Sequence, residues 1–155
     1  MFNEKIVNPN ELRHWEGRIE LYWIYTSGEA GDRFFKALKD EEKFIAAKCK
    51  KCGKVYFPPR MYCEFDFSET EYVEVSGEGS VRAFTVARLD KDEKPLEKPE
   101  IYAIIDMDGT DGCMVHLLGE VEPEDVYTGM KVKPVLKEKG EREGKITDIL
   151  YFKPS

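Results

Sequence analysis

The chain has 155 residues, a formal charge of −7, four cysteines and two histidines. That length suits one medium domain or two small ones, and a ribbon-sized piece within it would need a metal to hold its shape. The polar start "MFNEKIVNPNELRHWEG" lacks the apolar core of a secretory leader, and no apolar run nears the roughly 18–20 residues of a membrane span, so a soluble, cytoplasmic protein with no membrane association is expected.

Residues 1–43 read as an N-terminal strand-and-helix arm. Residues 1–16 show no clear period and suit an extended or loosely helical segment. In "RIELYWIYTSG" Ile19, Leu21, Trp23 and Tyr25 share one face as a strand, while Tyr22 and Ile24 make the other face apolar and leave a helix open. "TSGEAGDRFFKALKDEEK" predicts a helix. Thr26 and Glu29 have capping-box spacing, Ala30, Phe34, Phe35 and Leu38 cluster on one face, and Lys36 and Lys39 lie toward the C-terminal end. Trp15, Trp23, Phe34 and Phe35 are the aromatic candidates for a partner interface. Packing against the protein's own body is the competing reading.

Residues 44–71 carry the densest chemistry. Cys49, Cys52 and Cys63 fall within fifteen residues. A secreted disulfide framework would call for a leader and wider spacing, so reduced thiolates around a metal are favoured. Cys49-x-x-Cys52-Gly53 is a zinc knuckle in which glycine eases the tight turn. Cys63 and Asp66 repeat the i, i+3 spacing with an oxygen ligand in place of the fourth sulfur. Three thiolates and a carboxylate still give the ion four anionic ligands, in a site weaker than a four-cysteine one. A water, a distant His14, His116 or Cys113, or no bound metal are the alternatives. The expected zinc is structural, because no acid–base partner with metalloenzyme spacing accompanies it.

Charge is uneven along the chain. Lys43 to Arg60 holds six cations and no acid, whereas residues 72–155 hold 12 cations and 18 acids. The acidic part is ill suited to a polyanion.

From Val73 onward the chain reads as β-structure. "GSVRAFTVARL" alternates, "DKDEKPLEKPE" is a charged loop, and "IYAIIDM" and "CMVHLLGEV" flank the turn "DGTDG". "EPEDVYTG" is a short helical connection. "MKVKPVLKEK" and "GKITDILYFKP" are two further strands joined by a polar turn. Five strands with a short helix between the third and fourth follow the order of an OB-fold barrel over residues 72–155, with an open sheet or small sandwich as alternatives.

"FFKALKDEEKFIAAKCKKCGKVYFPPRMYCEFDF", "GSVRAFTVARL" and "GMKVKPVL" together resemble a family of two-domain proteins that join a rubredoxin-like zinc ribbon to an OB-fold. C-x-x-C-G followed by "FPPR" and the second knuckle, with the Gly129–Met130 step, carry the likeness over residues 30–155. Such proteins, mainly archaeal and also bacterial, are often encoded beside thiolases and hydroxymethylglutaryl-CoA synthases. The resemblance implies a non-catalytic, acyl-CoA-binding accessory subunit of a thiolase-type complex, with zinc as a structural cofactor. Asp66 departs from the cysteine common in the family and puts metal occupancy in question. For the CoA phosphates and adenine the candidate contacts are Lys48, Lys50, Lys51, Lys54, Tyr56, Phe57 and Arg60. Two prolines aim the Arg60 guanidinium, whose planar fork suits phosphate. The alternative function is single-stranded nucleic-acid binding, usual for an OB-fold with a zinc ribbon but opposed by the acidic barrel. Independent catalysis is disfavoured: no nucleophile elbow, dinucleotide fingerprint or P-loop is present, and Cys113 in a strand reads as a small hydrophobe.

Overall fold

A computed structural model describes residue 17 and residues 21–155. Among the described residues one α-helix, α1 (Gly28–Glu41), precedes eight strands. Ala30, Phe34 and Leu38, spaced by four, form its buried face, while Glu29–Arg33 and Asp32–Lys36 ion pairs decorate the exposed side. The expected capping box is not formed. Ser27 is the N-cap and makes no side-chain cap bond, because the helix begins beyond Thr26. Glu42, in the left-handed conformation, ends it. The strand expected over "RIELYWIYTSG" is also not formed in its described part, where residues 21–27 pair with no sheet. Residues 1–16, and with them His14 and Trp15, lie outside the described residues.

The ribbon sheet has the order β2-β1-β3, from β1 (Phe44–Cys49), β2 (Val55–Tyr56) and β3 (Thr70–Val75), all antiparallel. Its third strand thus runs on to Val75. β4 (Gly79–Leu89), β5 (Pro95–Met107), β6 (Cys113–Leu118), β7 (Lys131–Leu136) and β8 (Ile149–Pro154) close a barrel in the order β4-β5-β6-β8-β7. β6 and β8 are parallel and the 3-10 turn Pro123–Asp125 separates β6 from β7, as an OB-fold requires. The Gly129–Met130 step helps to close the barrel: Gly129 N–H donates to the Val81 carbonyl at 2.7 Å, and Val81 N–H to that of Met130 at 2.9 Å.

Two boundaries differ from expectation. β5 begins at Pro95, inside the stretch read as a charged loop, because the Asp90 carboxylate accepts the N–H groups of Asp92 and Lys94 and tightens the turn to five residues, 90–94. The last strand starts late, at Ile149. Asp148, fully buried, accepts N–H bonds from Glu143, Gly144 and Lys145 at 2.7–3.1 Å and holds the preceding residues as a loop. Arg142 of that loop caps α1. Its guanidinium donates to the carbonyls of Lys137 and Lys39 and pairs with Glu42 at 2.9 Å.

Helix, ribbon and barrel share one core. Phe34 of α1, Phe44 of β1 and Phe57 meet with ring centroids 5.7–6.5 Å apart, continuous with Val81, Ile105 and Met107 of the barrel. The hairpin between β5 and β6 is welded to the ribbon. Val55 N–H donates to the Asp111 carboxylate at 2.8 Å, and Asp111 N–H to the Val55 carbonyl at 2.7 Å. Gly112 lies so close to the Phe57 backbone that a β-carbon would overlap the Phe57 carbonyl.

Candidate metal centre

The two knuckles are built alike. In the first, Cys49 N–H donates to the Lys54 carbonyl and Gly53 N–H to the Cys49 carbonyl, at 2.8 and 3.0 Å. In the second, Cys63 N–H donates to Ser68 and Phe67 N–H to Cys63, at 2.9 and 3.0 Å. Asp66 therefore stands where Cys52 stands in the first knuckle, and Phe67, with φ of 55°, where Gly53 stands with φ of 76°.

One ligand atom from each of Cys49, Cys52, Cys63 and Asp66 can be chosen so that all lie within 4.8 Å of one another. Cys52 and Cys63 Sγ are 3.7 Å apart, and Cys49 Sγ is 3.5 Å from Asp66 Oδ2. These separations match the edges, roughly 3.5–3.8 Å, of a tetrahedron with Zn–S near 2.3 Å and Zn–O near 2.0 Å. The residues fit zinc, and His116 and Cys113 belong to the barrel rather than to this cluster.

The surroundings tune each ligand. N–H groups of Lys51 and Cys52 donate to Cys49 Sγ at 3.4 Å. The Ser68 hydroxyl, aided by the Cys52 N–H, lowers the Cys49 thiol to about 7. Ser68 also donates its hydroxyl and N–H to Asp66 Oδ1 and holds that carboxyl down at about 2, leaving Oδ2 turned to the sulfurs. The Tyr56 hydroxyl lies 3.2 Å from Cys63 Sγ and accepts the Glu64 N–H. Burial and that sulfur push the Tyr56 phenol up to about 12. Ser68 and the Tyr56 hydroxyl are supports that ligand spacing did not announce. A serine two residues after an aspartate, the Asx-turn pattern, was the one signal for the first.

The expected phosphate contacts separate in the structure. Phe57, read as a ring for adenine or pantetheine, is 5% exposed and belongs to the core, because its ring packs against Phe34 of α1 and Phe44 of β1. Tyr56 is likewise buried under the knuckles. Lys54 and Arg60 both pair with Glu64, at 2.7 and 3.1 Å, and Lys50 lies 3.7 Å from Glu71. The six-cation run is thus largely offset by carboxylates that the chain brings from elsewhere. Lys48 and Lys51 are exposed and have no carboxylate partner among the described residues. Of the aromatic interface candidates, Phe34 is buried, Phe35 is partly buried, and Trp23 is exposed and stacked on Tyr25.

No helix among the described residues is long and apolar enough to cross a membrane. Residues 37–71 match the family described as the rubredoxin-like zinc ribbon domain of ChsH2, and residues 72–137 its C-terminal OB-fold domain. A DUF35 domain-containing scaffold protein of Methanocaldococcus jannaschii is 34% identical over 128 residues, covering 79% of this chain and 89% of that one. One from Methanothermobacter thermautotrophicus is 27% identical, covering 79% and 94%. A crystal structure of a DUF35-family protein from Sulfolobus solfataricus superimposes with a TM-score of 0.64 at 28% identity, covering 83% of this chain and 87% of that one. A structure described as the Ltp2-ChsH2(DUF35) aldolase superimposes with a TM-score of 0.63 at 21% identity, covering 84% and 98%, a likeness of fold alone. With ribbon and barrel in the same order and a 34% identical relative along most of its length, this chain belongs to the DUF35 domain-containing scaffold proteins.

Proposed function

We propose that this chain is a non-catalytic accessory subunit that binds acyl-CoA and holds together a thiolase-type complex, such as an acetoacetyl-CoA thiolase with a hydroxymethylglutaryl-CoA synthase. The observation that carries the scaffold part is the segment Leu21–Tyr25. Five consecutive large apolar residues stand in solvent ahead of α1, with Ile24 at 99% exposure. Trp23 and Tyr25 stack, with ring centroids 6.3 Å apart. Apolar surface of this kind marks a protein contact, and aromatic anchors dominate such contacts. The relatives named as scaffold proteins favour the same reading.

For the CoA part, Lys48 and Lys51 beside the knuckle are the cations free to meet phosphate, with Lys54 and Arg60 available once Glu64 is displaced. The zinc centre holds this surface in shape and takes no part in chemistry. The nucleic-acid alternative is disfavoured by the barrel's β5–β6 face, where Tyr102, Ile104, Val115 and Leu117 offer one aromatic ring and no cation.

Calorimetric titration of CoA and acetyl-CoA into the protein, alone and with a candidate thiolase, tests the reading. Binding weakened by Lys48→Glu and Lys51→Glu supports it. No heat and no thermal protection in either setting would sink it. Micromolar, steeply salt-dependent binding of a single-stranded oligonucleotide would revive the alternative.

A further inference from the structure

The two sides of β4 fare differently. One side pairs with β5 along the strand. The other meets β7 only at Gly79 and Ser80, with Val81 closing onto Gly129 and Met130. From Ala83 to Leu89 that side meets no strand among the described residues. In an antiparallel pair alternate residues aim N–H and C=O away from the partner, so this edge presents a row of unpaired donors and acceptors.

The open edges elsewhere are guarded. β2 is two residues long, β3 carries Glu71 and Glu74, β7 carries Lys133 and Pro134, and β5 beyond the end of β6 carries Pro95 and Pro99. Short strands, charges and prolines are the usual means by which edges avoid joining. β4 has none of these from Ala83 to Ala87, where its pairing with β5 is one-for-one. Phe84, Thr85 and Val86 are favoured in strands, and Phe84 and Thr85 are exposed.

We propose that this edge of β4 pairs with the same edge of a second copy, antiparallel about a two-fold axis at Val86, so that two barrels share one sheet. Charge permits it. Residues 82–100 hold five cations and five acids, net zero, in a chain of −7, so the hairpin is spared the like-charge repulsion of the whole. Charge also selects the register. An axis at Thr85 would set Arg82 against Arg88 of the second copy, and like charges directly opposite are destabilising. An axis at Ala87 would set Phe84 against Asp90. With the axis at Val86, Phe84 faces Arg88, a favourable cation–aromatic pair made twice, and Thr85 faces Ala87. Such a two-fold contact uses up both edges and stops at a dimer rather than a fibre. Two copies so joined carry two Leu21–Tyr25 segments and make the scaffold bivalent; only that consequence rests on the function proposed above.

The test is sedimentation of the full chain from micromolar to millimolar concentration, with amide hydrogen exchange followed in the same samples. A reversible dimer whose formation slows exchange within Ala83–Leu89 is the expected result. Val86 packs on the core, so Thr85 and Ala87 face outward. Thr85→Lys with Ala87→Lys sets four lysines against one another across the seam and should weaken the dimer about tenfold or more. Thr85→Glu with Ala87→Glu should do the same. A mixture of the two doubly substituted chains should regain a dimer at least as strong as the wild type, because the register sets each lysine opposite a glutamate. In the wild type, isotope-filtered NMR on mixed labelled and unlabelled copies should show the Phe84 ring against the Arg88 side chain of the other copy, a readout that needs no variant. Four results overturn the proposal: a monomer throughout the range, a dimer that the four lysines leave intact in a folded chain, a lysine–glutamate mixture that stays monomeric, or no Phe84–Arg88 contact between copies. Exchange slowed at Ala83–Leu89 only when a thiolase-type partner is added would give the edge to a strand of that partner instead.

Discussion

Phe67 has none of glycine's freedom, yet it takes a φ of 55° at the place that Gly53 fills in the first knuckle. A side chain in the left-handed region costs roughly 1–2 kcal/mol, part of which glycine returns as backbone entropy. Phe67→Gly should therefore stabilise the ribbon by up to about 1 kcal/mol, read from thermal unfolding with zinc bound. Its neighbour Ser68 orients Asp66, so Ser68→Ala should lower zinc affinity about 10–100-fold in a chelator competition. Asp66→Cys should raise it. The pH dependence has a definite sign. Asp66, held at about 2, is ionised in the folded state above the ordinary carboxylate value, and its contribution is lost only as pH falls through about 2. Zinc release between about pH 4 and 6 should accordingly follow proton uptake by thiolates alone, with one proton per cysteine in a release titration. Cys49, Cys52, Cys63 and Asp66 were legible because knuckle spacing is a local rule. The burial of Phe57 was not, since nothing in "FPPR" tells which side of the chain meets the core.

At the scale of elements, Glu64 decides what the cationic stretch can do. It is absent from the run Lys43–Arg60, but the second knuckle folds it onto both Lys54 and Arg60. Spacing along the chain could not show a pairing that the turn between the knuckles creates. On the function proposed above, Glu64→Gln should release two cations and tighten CoA binding several-fold at low salt, with a steeper salt dependence, measured by calorimetry. The Asp148 loop was hidden for a similar reason. "GKITDIL" alternates like a strand, but three N–H donors converge on a buried carboxylate and arrest the strand before Ile149. Burial pushes that carboxyl up; the N–H groups of Glu143, Lys145 and Gly144, with Lys137, outweigh it and leave the group below its usual range. Its stabilisation is present above the ordinary carboxylate value near 4 and is lost as pH falls through the lower, folded value. Asp148→Asn should cost about 1–3 kcal/mol at pH 7 by denaturant unfolding, and the gap to wild type should close in acid. The α1 face and the order of the barrel strands were readable, because periods of four and two survive in Ala30, Phe34 and Leu38 and in Ile101, Ala103, Ile105 and Met107 of β5; in β4 a bulge after Val81 breaks the alternation.

Across the whole molecule, ribbon and barrel behave as one body through the Val55–Asp111 exchange and the approach of Gly112 to Phe57. Gly112→Ala should pry that junction, costing about 1–3 kcal/mol and shifting amide resonances on both sides of it. Chelation should melt the knuckles while the barrel, closed by its own hydrogen bonds, keeps its β-spectrum. The segment Leu21–Tyr25 has a further consequence, in the life of the protein within a cell. Chaperones and proteases recognise unfolded clients by exposed runs of aromatic and aliphatic residues, and on the scaffold function proposed above this chain displays one until a partner covers it. An orphan copy therefore wears the mark of a damaged protein, so its abundance should be held to that of its partner. Nicking at Leu21–Tyr25 in limited proteolysis, suppressed on assembly, is the measurement that would reveal this stoichiometric control.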